Sequence, residues 1–206
     1  GSLSAGAGTD LFIGSTSGGS VRRTVLAFDL TSIPSNAVVS SATLTLFVNK
    51  SVAGSNETVD VHRLTASWGE GTSINSNGNP GSATTNDATW LYRFYNSSSW
   101  TNAGGDFSST VSATQSIGNF GAFSWSGAGL VSDVQAWLSS PSSNFGWILV
   151  GDETDPTSVR KISSRENATV SQRPSLSITY SVAVPEPGFA GVLMLPAVAV
   201  RRRGRR

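Results

Sequence analysis

Trp90, Tyr92, Arg93, Phe94, Tyr95, Trp100 and Phe107 all fall within the eighteen-residue stretch WLYRFYNSSSWTNAGGDF. Aromatic rings offer flat apolar faces, and a guanidinium among them offers charge-assisted hydrogen bonds. That combination suits sugars, whose C–H faces stack while hydroxyls or carboxylates take the polar contacts. Alternation along an extended chain puts Trp90, Tyr92 and Phe94 on one face, and Leu91, Arg93 and Tyr95 on the other. The candidate polysaccharide contacts are therefore Trp90, Tyr92, Arg93 and Trp100. The competing reading makes several of these rings pins that hold a long loop to the domain.

Two charged clusters invite other chemistry. GDETDP places Asp152, Glu153 and Asp155 in one turn. Hard oxygen ligands in a turn suit calcium, although the spacing is not that of an EF-hand. A solvated hairpin turn is the simpler reading, so no cofactor is required and calcium is the one to test. Arg165 and Glu166, with Arg22, Arg23 and Lys161, could form a cationic groove for an acidic glycan, with Arg165 as a binding candidate. Alternatively, Arg165 and Glu166 form a structural ion pair at a strand end.

Catalysis finds little support. The chain has no cysteine, no Gly-x-Ser-x-Gly motif to present a serine nucleophile, and a single histidine, His62. That excludes multi-histidine metal sites and leaves a Ser-His-Asp constellation without its usual motif. His62 lies inside an alternating strand and reads as an ordinary half-buried histidine. A glycosidase needs two facing carboxylates. Asp60, Glu70, Asp87, Asp106 and Glu166 could supply a pair, but nothing in their spacing singles one out. The expectation is a protein that is not an enzyme.

The elements that must position these residues are strands. Period-two alternation marks Arg22–Leu30, Val38–Val48 and Thr58–Ala66, with later strands at Ser108–Thr114, Ala122–Trp125, Gly146–Val150, Val159–Ser163 and Ser175–Val182. On Val38–Val48 the inward set is Ala42, Leu44, Leu46 and Val48. One stretch departs from this pattern. Leu130, Val131, Val134, Trp137 and Leu138 follow helical spacing and predict one short helix. Ser67–Phe107 is the longest gap, and a loop of that length is either functional or contains unassigned structure. Two packed antiparallel sheets follow from the rest.

Net charge is +1, but the C-terminal segment supplies five arginines against one glutamate, which leaves the body at −3. The body offers no field for phosphates, so nucleic acid is not an expected partner. Few charges and abundant serine, threonine and glycine suit an exported β-protein rich in turns. The chain opens GSLSAGAG without methionine or signal peptide, and is expected to be a mature or trimmed form. Asn56, Asn96 and Asn167 fit glycosylation sequons, a three-residue pattern that carries little weight alone.

The last segment differs from everything before it. Pro185, Glu186 and Pro187 come first, then twelve uncharged residues from Phe189 to Val200, then Arg201, Arg202, Arg203, Arg205 and Arg206. As a helix the uncharged run would span roughly 18 Å, short of the roughly 30 Å hydrocarbon layer. The terminal arginines add a positive-inside anchor and can snorkel. The order of parts resembles a PEP-CTERM sorting signal, which implies an exosortase-type processing enzyme and transient anchoring in the inner membrane. The uncharged segment is shorter than is usual for such signals.

A second resemblance covers most of the body. VLAFDLTSIPSNAVVSSATLTLFV, the segment at Trp68-Gly-Glu-Gly, and SREN and RPSLSITY near the end resemble the DNRLRE domains, also classed as carbohydrate-binding module family 96. Phe28, Asp29, Leu30, Ile33 and Pro34 carry the first match. Ser164, Arg165 and Glu166, then Arg173, Pro174, Leu176 and Tyr180, carry the later ones. That family normally has a short strand ahead of Asp10, which this chain is expected to lack. The resemblance implies a jelly-roll sandwich on bacterial surface proteins.

The expectation is thus an all-β, jelly-roll-like antiparallel sandwich with one short helix over residues 1–182, and a hydrophobic sorting tail over 183–206. Its function is association with polysaccharide at the cell surface or in the extracellular matrix. The alternative is a structural biofilm-matrix domain with no discrete saccharide site.

Overall fold

Alternating apolar and polar residues set the strands, and the glycine- and serine-rich stretches between them set the turns. The computed structural model describes residues 1–51, 56–75 and 79–183. In chain order the strands are β1 (Leu3–Ser4), β2 (Asp10–Ser15), β3 (Val21–Arg22), β4 (Thr24–Leu26), β5 (Ala37–Ser51) and β6 (Glu57–Leu64). There follow β7 (Gly81–Ser82), β8 (Tyr92–Phe94), β9 (Ser98–Ser99), β10 (Phe107–Ile117) and β11 (Gly121–Ser126). After the helix α1 (Ala128–Ser139) come β12 (Trp147–Val150), β13 (Arg160–Ser163) and β14 (Ser175–Val182).

One sheet runs β10-β6-β12-β4. The other runs β11-β5-β13-β2-β3, with β14 also paired to β5. β1 with β7, and β8 with β9, form two small ribbons. The result is the expected antiparallel sandwich with one short helix. β5 is its spine. Thr43–Val48 pair with β11 while Ala37–Thr45 pair with β14, so the two neighbours flank opposite edges.

Between the sheets lies the main core. The inward set of β5 (Ala42, Leu44, Leu46 and Val48) is buried as its alternation requires, and it meets Val59 and Val61 of β6. Leu130, Val134, Trp137 and Leu138 of α1 are buried there too. The Trp137 and Trp147 rings sit 4.6 Å apart, centroid to centroid. Asp133 shares the buried face of α1, where its carboxylate accepts from Ser112 Oγ and from Trp147 Nε1 at 2.8 Å. Burying a charge is tolerated because it is hydrogen-bonded and Arg63 lies 3.6 Å away.

β12 is apolar on both faces, with Trp147 and Leu149 in the main core and Ile148 in a second one. That second cluster lies on the outer side of the four-stranded sheet. Leu64, Trp100 and Ile148 are its buried centre, with Val25, Trp68, Phe107 and Phe145 packed around them. The Ser67–Phe107 stretch supplies much of it. The long gap in the strand pattern is thus a covering layer of short ribbons and turns.

The structure corrects three expectations. Arg22–Leu30 is not one strand: it breaks at Arg23 and leaves the sheet after Leu26, although Phe28 and Leu30 still reach the core. β2 runs between β13 and β3 where no strand was expected. Its opening Asp10 masks the pattern, because its buried carboxylate is satisfied by Asn49, Asn75 and Lys161 at 2.8–2.9 Å. A short strand does precede Asp10, since β1 pairs with β7. The sorting motif Pro185, Glu186 and Pro187, and the rest of the tail, lie outside the described residues. Among those described, no helix is long and apolar enough to cross a membrane.

Candidate functional site

β3 and β4 form the edge of their sheets beside the covering layer, and a groove of about 940 Å³ opens there. The N-terminal segment, the Ser67–Glu70 and Ala88–Trp90 turns, and the Ser164–Glu166 turn wall it in. Its apolar lining includes Val25, Trp68, Trp90 and Phe145, and its charged lining Arg22, Arg23, Glu70, Arg165 and Glu166. Trp68 is oriented by its indole N–H, which donates to Phe145 O at 2.8 Å.

Trp90 is half-buried and held from several sides. The Arg23 guanidinium carbon lies over its ring, 4.8 Å from the centroid. Gly104 N donates to Trp90 O at 2.6 Å. Only glycine fits at 104. Its φ is +90°, and a Cβ there would come within 2.6 Å of Arg23 Nη1 and 3.0 Å of the Trp90 ring.

Most of the candidate cations are already paired with carboxylates, within the groove or behind it. Arg23 pairs with Glu153, and Lys161 with Asp10. Arg165 donates to Glu70 at 2.8 Å and to Glu166 at 2.6 Å, so it bridges two carboxylates at the rim. The hydrogen bond from Arg165 to Glu166 heads the causes that hold the guanidinium above its usual pKa. Burial pushes the Glu70 carboxyl above its usual value, against the pull of Arg165. Burial acts the same way on Glu166, yet hydrogen bonds from Arg165 and Ser164 bring it below. Arg22 is the exception. Its Nη1 donates to Val21 O at 3.2 Å, and no carboxylate pairs with it among the described residues. Desolvation lowers its pKa, as befits a half-buried cation facing the groove.

Of the residues expected to contact saccharide, the structure brings Trp90, Trp100 and Arg165 to this groove and puts Tyr92 and Arg93 elsewhere. Trp100 is 7% exposed, and its indole N–H donates to Thr89 O at 2.9 Å. It acts as the pin of the covering layer and meets the groove only through the little of it that is exposed. Tyr92 and Arg93 lie on the β8–β9 hairpin outside the groove. Tyr92 packs edge-on against Tyr95, and Arg93 donates to Ser67 Oγ at 2.9 Å. Trp68 lines the groove as well, and of the expected cationic set Arg22 and Arg23 line it while Lys161 does not. Trp68 could have been found as an aromatic in a turn segment, but Arg22 had no signal to separate it from Arg23.

The other candidates are occupied as well. Asp152 Oδ1 accepts from Thr154 N and Asp155 N, and Asp155 Oδ1 from Thr157 N, each capping the turn that carries it. Glu153 turns away to Arg23, so the three carboxylates do not converge. Among the described residues no group of three metal-ligating side chains is placed to hold an ion. His62 is buried, with Nδ1 donating to Ser108 O at 2.9 Å. Asp60 accepts from Thr114, and Asp87 from Thr84.

An antiparallel β-sandwich bearing a groove with indole walls and one unspent cation defines a ligand-binding module. Residues 3–111 match the model of carbohydrate-binding module family 96, and the chain belongs to that family. Modules of this kind are generally non-catalytic and occur on extracellular or surface proteins. A comparison with curated proteins finds no match.

Proposed function

We propose that the chain is an exported, non-catalytic protein that holds polysaccharide in this groove. What carries the reading is the meeting of indole rings and an unpaired, half-buried arginine in one groove of a family 96 module. Trp90 and Trp68 supply stacking faces. Arg22 supplies charge for a carboxylate or sulfate, where partial desolvation strengthens a charge-assisted hydrogen bond. Arg165 stands at the rim, already neutralised by two carboxylates, and contributes orientation more than charge. Residues 1–182 form the binding unit, of the DNRLRE type. Residues 183–206 form a PEP-CTERM signal that an exosortase-type enzyme cuts, after transient anchoring in the inner membrane. Cell surface or extracellular matrix is the destination.

A glycan array on the full chain, with and without calcium, tests the binding. Trp90→Ala should weaken it several-fold, in line with roughly 1 kcal/mol for an aromatic contact. Arg22→Gln should weaken carboxylated glycans selectively and flatten their salt dependence. Full affinity in both variants would move the site elsewhere, and no binding by the parent would leave a structural matrix domain. For the tail, mass spectrometry of the protein from its native host should find chains ending near Val184–Gly188. Recovery of intact chains alone would refute the sorting signal.

A further inference from the structure

Glu153 does not line the groove, yet it is tied to the groove's principal ring. Its carboxylate grips Arg23 with both oxygens, Nε to Oε1 at 2.6 Å and Nη2 to Oε2 at 2.9 Å. Bidentate pairing fixes the plane of a guanidinium as well as its place. The third nitrogen, Nη1, donates to Gly104 O at 3.0 Å. Held so, the guanidinium lies over Trp90 at 4.8 Å and over Phe107 at 5.4 Å. Both partners are largely shielded, with side chains 17% and 25% exposed, so the pair is screened less than a surface ion pair. The turn that carries Glu153 is itself braced by Asp152 and Asp155, whose carboxylates cap its N–H groups.

We infer that Glu153 is a positioning residue for polysaccharide: through Arg23 it fixes the Trp90 ring as a wall of the groove. The inference rests on the groove being the polysaccharide site. It also gives the acidic turn a purpose other than metal binding. Glu153 orients the arginine, the arginine orients the ring, and Asp152 and Asp155 hold Glu153 in reach. Pre-orienting the ring spares the ligand the entropy of ordering it.

The test is a double-mutant cycle in the full chain, using Glu153→Gln, Trp90→Ala and the pair. The probes are neutral hydroxyethylcellulose and carboxylated polygalacturonate. Glu153→Gln should weaken the neutral probe about three- to tenfold, the range of a shielded cation–π contact. It should also change the near-ultraviolet dichroism of the indoles, and it should cost no further affinity once Trp90 is alanine. If the pair instead loses the product of the two single losses, Glu153 does not act through Trp90 and the inference falls. It falls too if Glu153→Gln leaves the neutral probe untouched and merely strengthens polygalacturonate, because that is the signature of a freed Arg23 charge alone. Full affinity in Trp90→Ala would overturn this inference, and no binding of either probe by the parent would overturn the groove as the site and the inference with it.

Discussion

The two apolar clusters of this molecule are built by different means. Between the sheets, Leu44, Leu46, Val59, Val61 and Trp147 come from paired strands and meet across two regular faces. Outside the four-stranded sheet, Leu64 and Ile148 are covered by Trp100, Trp68 and Phe145, which arrive on turns. The inner cluster is held by area and shape. The outer one depends on hydrogen bonds that place each ring, such as Trp100 Nε1 to Thr89 O and Trp68 Nε1 to Phe145 O. The groove of about 940 Å³ lies beside the second kind, where turns do not close on one another as regular faces do.

The most severe way to break the contrast is Trp147→Ala. This ring is fully buried, packed at a tilt against Trp137 and bonded to Asp133. Its loss should cost about 3–5 kcal/mol and lower the stability of the whole sandwich in denaturant titrations. Trp100→Ala should cost less, about 2–3 kcal/mol, because a thin layer can collapse around the gap. Its signature is regional. Hydrogen exchange should rise across residues 88–106 while β5 and β6 stay protected. Equal exposure of β5 in this variant would show that the two clusters are one cooperative unit.

Acid sharpens the comparison further. Burial opposes ionisation of Asp106, but N–H groups of Thr101 and Asn102 outweigh it and hold the carboxyl below 3.8. A depressed carboxylate contributes stability that is fully present above its unfolded value. That stability is lost as pH falls through the folded value. The Trp100 turn should therefore loosen only in acid below the usual aspartate range. Asp106→Asn should cost about 1 kcal/mol at neutral pH, through the weakened hydrogen bonds to Thr101 and Asn102, while removing that acid step. Exchange of the Thr101 and Asn102 amides against pH is the measurement. The smallest effect belongs to the rim. Arg165→Ala should change stability by less than about 1 kcal/mol, because its side chain is 68% exposed and such pairs contribute little. A larger loss in a thermal melt would make the Glu70–Arg165–Glu166 bridge a structural strut.

The sandwich was readable from the chain because a strand's side-chain period is two. β5 announces its buried set at 42, 44, 46 and 48, and α1 shows its stripe at 130, 134, 137 and 138. β2 was hidden because it opens on a buried aspartate whose three partners come from residues 49, 75 and 161. The crowding of aromatics at 90–107 marked the right region for a groove. Nothing local distinguished the half-buried ring, Trp90, from the buried ring that pins the layer, Trp100.

By itself the sequence determined the β-class, the inward faces of the long strands, the one helix and the chemical supply of rings and arginines. Those properties depend on neighbours two to four positions apart. Tertiary structure alone decided which charges are spent and which rings stay available. Arg22 and Arg23 are adjacent in the chain, but Glu153, 130 positions further on, neutralises only the second. Pairings across that distance are set by how sheets and turns pack, and no local pattern carries them.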